Sequence, residues 1–423
     1  MKPIILFQTF LLLVPILIFS QQDVHDNQMK WLDGWTNFSP NKTFYPEAQE
    51  QLPSIIDTDL YLPNTTTYLL SGNVYVTNGA TLTIQEGTII RCDSNISTSL
   101  IITKDANFIA RGLQAQPIVF TSDKESKSKK SGDWGGIVII GSGHSNAPSG
   151  INNVEGDYLP QYSSYGGNDT IETSIIMTYV RIEYAGQKIN SSKELNGLSL
   201  YTVNASSIIN NIMISYSADD SFEFFGGTSK PYNLVSYKAK DDDFDFTLGY
   251  KGELYNILAI RHPYISDISG SYALEVDGYE KKSGMSSKES LSSVSVKNAT
   301  LISLSDKNNY QHTLAAISSK NLANINITDS KISGFANVVK FDKSYHSYAD
   351  LEQHFSLENS VFNVHNGTVM VTYEPKTSPH QLLKYNMFTT YFKSAEEFLT
   401  NPLHNTNPKF TLKESTDDYT VMQ

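Results

Sequence analysis

The chain has 423 residues, 44 of them acidic and 32 basic, and a formal net charge of −12 at neutral pH. That balance argues against a protein that works by neutralising nucleic-acid phosphate. With 39% hydrophobic, 11% aromatic and only 18% charged residues it can bury a large core, and its single cysteine, Cys92, excludes an intramolecular disulfide and a cysteine-built zinc site.

Residues Met1 to Ser20 read as a signal peptide. Lys2 supplies the charged start, Ile4 to Phe19 form an apolar run, and Ser20 is a small residue before a cleavage point at Gln21. The mature protein is therefore expected to be secreted or held at the cell surface, and no later segment is apolar enough to span a membrane. Asn-x-Ser/Thr sequons occur at Asn37, Asn64, Asn168, Asn204, Asn298 and Asn326; they matter only in a eukaryotic source. Residues 21–70 are expected to form an N-terminal segment and cap.

From Gly72 onward the pattern is short alternating segments, such as Val74-Tyr75-Val76 and Thr81-Leu82-Thr83-Ile84, separated by turns at Asn78-Gly79 and Glu86-Gly87. Strands this short suit a sandwich, a barrel or a solenoid. The lysine-rich run 124–130 reads as a solvated loop. Gly132-Asp133-Trp134-Gly135-Gly136 is a tight turn whose Trp134 either stacks on a sugar as a ligand-binding residue or covers the end of a coil. Arg181 and Glu183 share one face of the next strand. They form either a plain surface ion pair or a functional pair, since an arginine beside a cation cluster is what a β-elimination lyase uses as its base.

A repeat then decides among the folds. Asn211 to Gly227 aligns without gaps on Asn233 to Gly249 at an offset of 22 residues, as from Asp219 to Asp241. Phe222 falls on Phe244, Glu223 on Asp245 and Phe224 on Phe246. That offset is about one turn of a parallel β-helix, with coils about 4.8 Å apart. A third unit begins at Asn256, its acidic arm missing. Arg261-His262 open a loop and are further candidates for catalysis and ligand binding. The expected fold is an all-β, right-handed parallel β-helix over residues 71–340, with loop insertions near 144–176 and 278–292. Helical signals at Ala349–Phe355 and Ser394–Leu399 place a mixed cap over the open end in residues 341–423.

The motifs WLDGWTNFSP (31–40), GNVYVTNGATLTIQEGTIIR (72–91), IVFTS (118–122), GDWGGIVIIG (132–141), YVRIEYAG (179–186), ADDSFEFFGG (218–227) and DDDFDF (241–246) occur in this order. In these the chain resembles the secreted right-handed β-helix proteins common in Bacteroidota, many of them surface or lipid-anchored. The resemblance implies fold and secretion and no settled activity. It departs from many members in having no lipoprotein cysteine and no recognisable sorting domain.

The acidic residues of the repeat carry the chemistry. Asp219, Asp220, Asp241, Asp242, Asp243 and Asp245 are candidate metal ligands, with Glu223 beside them as a ligand-binding residue. Carboxylates stacked about 5 Å apart repel by about 3 kcal/mol at an effective dielectric of 20. A hard cation, Ca²⁺ first, relieves this with six to eight oxygens. Shared protons do so too, and would set a general acid beside a general base. Acids that only cap turns, or pair with Lys238 and Lys240, are the plainer alternative. Candidate catalytic residues are Asp220, Asp242, Arg181 and Arg261; candidate ligand-binding residues are Trp134, Glu183, Glu223 and His262. The leading reading is a secreted or surface protein that binds polysaccharide or another surface polymer. The alternatives are a polysaccharide lyase or glycoside hydrolase, and a structural adhesin.

Overall fold

The computed structural model describes residues 29–421, apart from 172–174, 191–192, 268–269, 280–289, 306–313, 390, 405 and 414–418. The signal-peptide reading of residues 1–20 lies outside the described residues.

The chain winds into a parallel β-helix. Most of its described strands form one 18-stranded and one 11-stranded sheet, in which strands pair in parallel with the corresponding strands a coil away, and three two-stranded pairs stand apart. The sequence repeat sets the register: Ile212 pairs with Leu234 and Phe222 with Phe244, all parallel. Phe222 stacks on Phe244 with centroids 5.0 Å apart, and Phe224 on Phe246 at 4.7 Å. These rings belong to one continuous core that fills the bore from Leu52 to Leu383. Because side chains alternate across a strand, Glu223 and Asp245 between the rings face outward.

Every coil must bend, and asparagine makes one of the bends. Asn211, Asn233, Asn256 and Asn298 hold φ between +54° and +59°, a left-handed conformation that asparagine tolerates better than most residues. Their side chains form a ladder: Asn233 Nδ2 donates to Asn211 Oδ1 at 3.4 Å, Asn256 Nδ2 to Asn233 Oδ1 at 2.8 Å, and Asn298 Nδ2 to Asn256 Oδ1. The sequons at Asn204 and Asn298 are buried.

The coils extend past both expected limits. Glu50–Gln51 and Leu60–Leu62 already pair with later strands, ahead of residue 71. Met387–Thr389 still pairs in parallel with Val361–Val364. The third unit does have its acidic arm: after a loop from His262, Leu274–Asp277 pairs with Phe244–Thr247 and sets Glu275 over Asp245. The insertion near 144–176 contains the hairpin Ile151–Asn153 with Ser164–Gly166.

The terminal segments depart from the expected end caps. Met29, Leu32, Trp35 and Phe38 pack on Met213, Val235, Leu258 and Ile260, the outward residues of the 18-stranded sheet. Those residues alternate with core-facing Ile212, Leu234, Ile257 and Ala259. The short helix Ala395–Phe398, capped by Ser394 and Glu397 as its sequence predicts, lies on the same flank with Phe410 and Leu412. At the open end, Leu383 enters the core and Thr420–Val421 pairs antiparallel with Met387–Thr389.

Candidate functional site: an acidic ladder on the outer face

On the outer face of the 11-stranded sheet one register column reads Val138, Ser199, Glu223, Asp245, Glu275, Ser318 and Lys340. Three consecutive rungs are acidic. The turns entering these strands add Asp219 and Asp220 on one coil and Asp241 and Asp242 on the next. Asp242 N–H donates to Asp220 Oδ1 at 2.8 Å, and Tyr272 N–H to Asp242 Oδ1. Each backbone amide thus ties the acid of one coil to the next and holds the carboxylates in a stack.

Loops wall the ladder. Beyond the strand ends, a cleft of about 230 Å³ is lined by Glu155, Tyr165, Tyr201, Glu223, Phe225 and Asp277. Tyr201 stacks on Phe225 with centroids 3.9 Å apart, and Tyr165 leans on Tyr201 at 4.9 Å. At the other end, Asn196 Nδ2 donates to Glu223 Oε2, and the hairpin Lys188–Asn190 with Lys193–Glu194 stands alongside. The charges of Glu194, Asp267 and Glu155 are felt at Asp219.

The electrostatics follow from burial and like charge. Burial, then the neighbouring carboxylates, push Asp219, Asp220, Glu223, Asp242 and Asp245 well above the ordinary carboxylate range. Asp241 is pushed up to about 7 by burial and Asp267. The cluster cannot be fully ionised at neutral pH without a compensating cation.

The donor set fits such an ion. Three groups have ligand atoms within 4.8 Å of one another: Asp219, Asp220 and Asp241; Asp220, Glu223 and Asp245; Asp242, Asp245 and Glu275. Shared members link them into one chain. Asp241 Oδ1 and Asp245 Oδ1 are buried with no hydrogen-bond partner, which leaves lone pairs for a ligand. Oxygen-only donors suit hard cations such as Ca²⁺. Lys238, a possible rival partner, lies instead over the Tyr237 ring, 4.8 Å from its centroid.

Several predicted site residues lie elsewhere. Asp243 is not among the grouped acids. With Arg261 it forms an ion pair inside the bore, Arg261 Nη1 to Asp243 Oδ2 at 2.8 Å, both side chains fully buried. Ser236 Oγ also donates to Asp243. The bend before Phe244 turns Asp243 inward, so strict alternation from Asp245 fails there. Arg261, inward by alternation from Ala259, also donates to Tyr272 O at 2.9 Å and is closed off from any substrate. Arg181 and Glu183 face outward on the other sheet, beneath the N-terminal segment. Tyr45 Oη donates to Glu183 Oε1 at 2.7 Å, and Arg181 Nε lies 3.9 Å from the same oxygen. Trp134 is wholly buried, stacked on Phe120 and donating to Glu183 O at 2.9 Å, and so binds no ligand. His262 sits beside Tyr264, its basicity lowered by burial and by Lys238, and is not among the grouped acids. In the lysine-rich run, Lys124 pairs with buried Asp133 at 2.6 Å.

Sequence reasoning missed Glu275, Asp277, Asn196 and Lys320. Glu275 carried a usable signal, since Leu274-Glu275-Val276 repeats the apolar–acid–apolar triplet of Phe244-Asp245-Phe246. The long loop from His262 hid the offset.

A family model described as a pectate-lyase-like β-helix domain matches residues 54–399, well over half of the chain. No curated protein and no solved structure matches it.

Proposed function

The chain belongs to the pectate-lyase-like β-helix family, and from that premise we propose that it is a secreted or cell-surface protein that binds an acidic polysaccharide along its acidic ladder, with Ca²⁺ as the bridging cation. The observation that carries this reading is the chain of three linked carboxylate groups on an outward, loop-walled face. Asp219, Asp220, Asp241, Glu223 and Asp245 would hold the ions, which supply positive charge for the carboxylates of a uronate polymer. Tyr165, Glu155 and Asn196 then shape the ends of the groove. A ladder that repeats once per coil suits an extended polymer, because equivalent subsites recur along the axis.

A second reading is acid–base cleavage of the polymer. It is favoured by Asp241, whose acidity near neutral pH beside more strongly perturbed carboxylates suits proton transfer at pH 7. The lyase variant with Arg181 or Arg261 as base is disfavoured, because neither arginine reaches the ladder.

The test is retention on immobilised polygalacturonate and alginate, against neutral xylan, with calcium and with chelator. Binding to the acidic polymers only, dependent on calcium and without change in chain length, is the expected result. Shortened polymer establishes cleavage. Equal retention in chelator, or none on any polymer, overturns the proposal.

A further inference from the structure

We propose that Lys320 is a built-in cation of the ladder: its ammonium takes the cation position of the Asp242–Asp245–Glu275 group, so that divalent ions enter only the two groups centred on Asp220. This rests on the cation-binding reading above and concerns which part of the ladder remains open to metal.

The placement follows from register. Lys320 is the last residue of the strand Ala315–Lys320 and pairs across the sheet with Asp277. Its side chain faces outward and runs back to the preceding coil, where Nζ contacts Glu275 Oε1 in an ion pair. The charges of Asp245 and Asp242 also act on it. Glu275 is thus paired directly with a protein cation whose charge also acts on the other two carboxylates of that group. The other two groups differ. Among the described residues, Asp219, Asp220, Glu223 and Asp241 form no direct ion pair with lysine or arginine, although the more distant charges of Lys188 and Arg261 act on Asp219 and Asp241; Asp241 Oδ1 has no hydrogen-bond partner. The same boundary shows in the column itself, which passes from Glu275 to Ser318 and then Lys340. Lys340 Nζ donates to Tyr272 Oη at 3.0 Å and holds the turn beside Asp242. Positive charge thus closes the ladder at its C-terminal end.

An ammonium and a divalent ion cannot share one set of carboxylate oxygens: the lysine brings donors to lone pairs that a metal would need. The lysine side chain is 39% exposed and lies outside the bore, so it can be altered without opening the core.

The experiment is equilibrium dialysis against Ca²⁺ followed by metal analysis, on the full chain as wild type, Lys320→Met, Lys320→Gln and Lys320→Arg. Folding of each is checked by its melting curve. The expected result is one more ion per chain in Lys320→Met and Lys320→Gln than in the wild type, and a larger calcium-induced rise in melting temperature. Lys320→Arg keeps the wild-type count. Equal ion counts and equal shifts in all four proteins overturn the inference while leaving the cation reading intact. Absence of bound ions from every protein overturns both.

Discussion

Two ladders of like residues climb the same coils and are held in opposite ways. Asn211, Asn233, Asn256 and Asn298 stabilise one another, because each amide can donate to one neighbour and accept from the next. Glu223, Asp245 and Glu275 stack in the same register but can only accept when ionised. The asparagine ladder is complete as folded. The acidic ladder has no such mutual compensation and calls for protons, Lys320 or a metal, which is the basis of the binding proposed above. A third arrangement lies inside the bore, where Asp243 is paired with Arg261 and accepts from Ser236.

The sharpest way to test this comparison is to remove the buried compensation. Arg261→Met leaves Asp243 without its partner in the bore and is expected to cost about 3–5 kcal/mol in urea unfolding. Asp243→Leu added to Arg261→Met should restore much of that loss. Full stability in the single variant would show that the buried pair is dispensable.

Calcium should act only on the outer ladder. At a hundred times its dissociation constant it adds about 2.7 kcal/mol, read as a higher melting temperature than in chelator. Asp220→Asn with Asp245→Asn should abolish the shift. An Asn256→Ala variant should keep it while losing about 2 kcal/mol of stability, from two hydrogen bonds and a left-handed backbone that alanine resists. A calcium shift that survives in the acidic variant would place the ion elsewhere.

The pH response separates the ladders most gently. The folded acids hold protons that the unfolded chain releases, so their stabilising share is complete below the unfolded pKa and is lost as pH rises through the folded one. For Asp241 that window runs from the ordinary 3.8 to about 7. Without calcium the melting temperature should therefore fall between pH 4 and 7, and saturating calcium should flatten the fall. In Asp241→Asn the remaining slope should be shallower. A chelated wild-type protein whose melting temperature climbs over this range contradicts the weakened acidity of these carboxyls.

The fold was legible because the repeat from Asn211 to Gly249 has no gaps and its phenylalanines alternate with acids. The same alternation placed Glu223 and Asp245 outward. It misled at Asp243, because a bend resets the phase and the sequence carries no mark of it. Arg181 and Trp134 looked available because nothing local shows what covers them: Tyr45 lies far back in the chain, and Trp134 turns in to meet Phe120. Lys320 reaches Glu275 across a loop and a coil, a contact that neither spacing nor composition announces.

The docking of the two chain ends on one flank bears on how this molecule is made. Coils of a solenoid contact only their neighbours, so such a chain can assemble progressively. Here the Asn37 amide meets Met213 Sδ at 3.2 Å, 176 positions later, and Lys409 Nζ meets Asp33 Oδ1 at 3.2 Å. Residues 29–38 precede in sequence the middle coils that they pack on, and have no such surface to rest on until those coils have closed. Their seat also includes Phe410, 372 positions after Phe38, the rings 5.5 Å apart. These long-range contacts raise the contact order above that of a bare solenoid and slow the last step. The completed flank acts as a clasp that ties two segments far apart in sequence to the same middle coils.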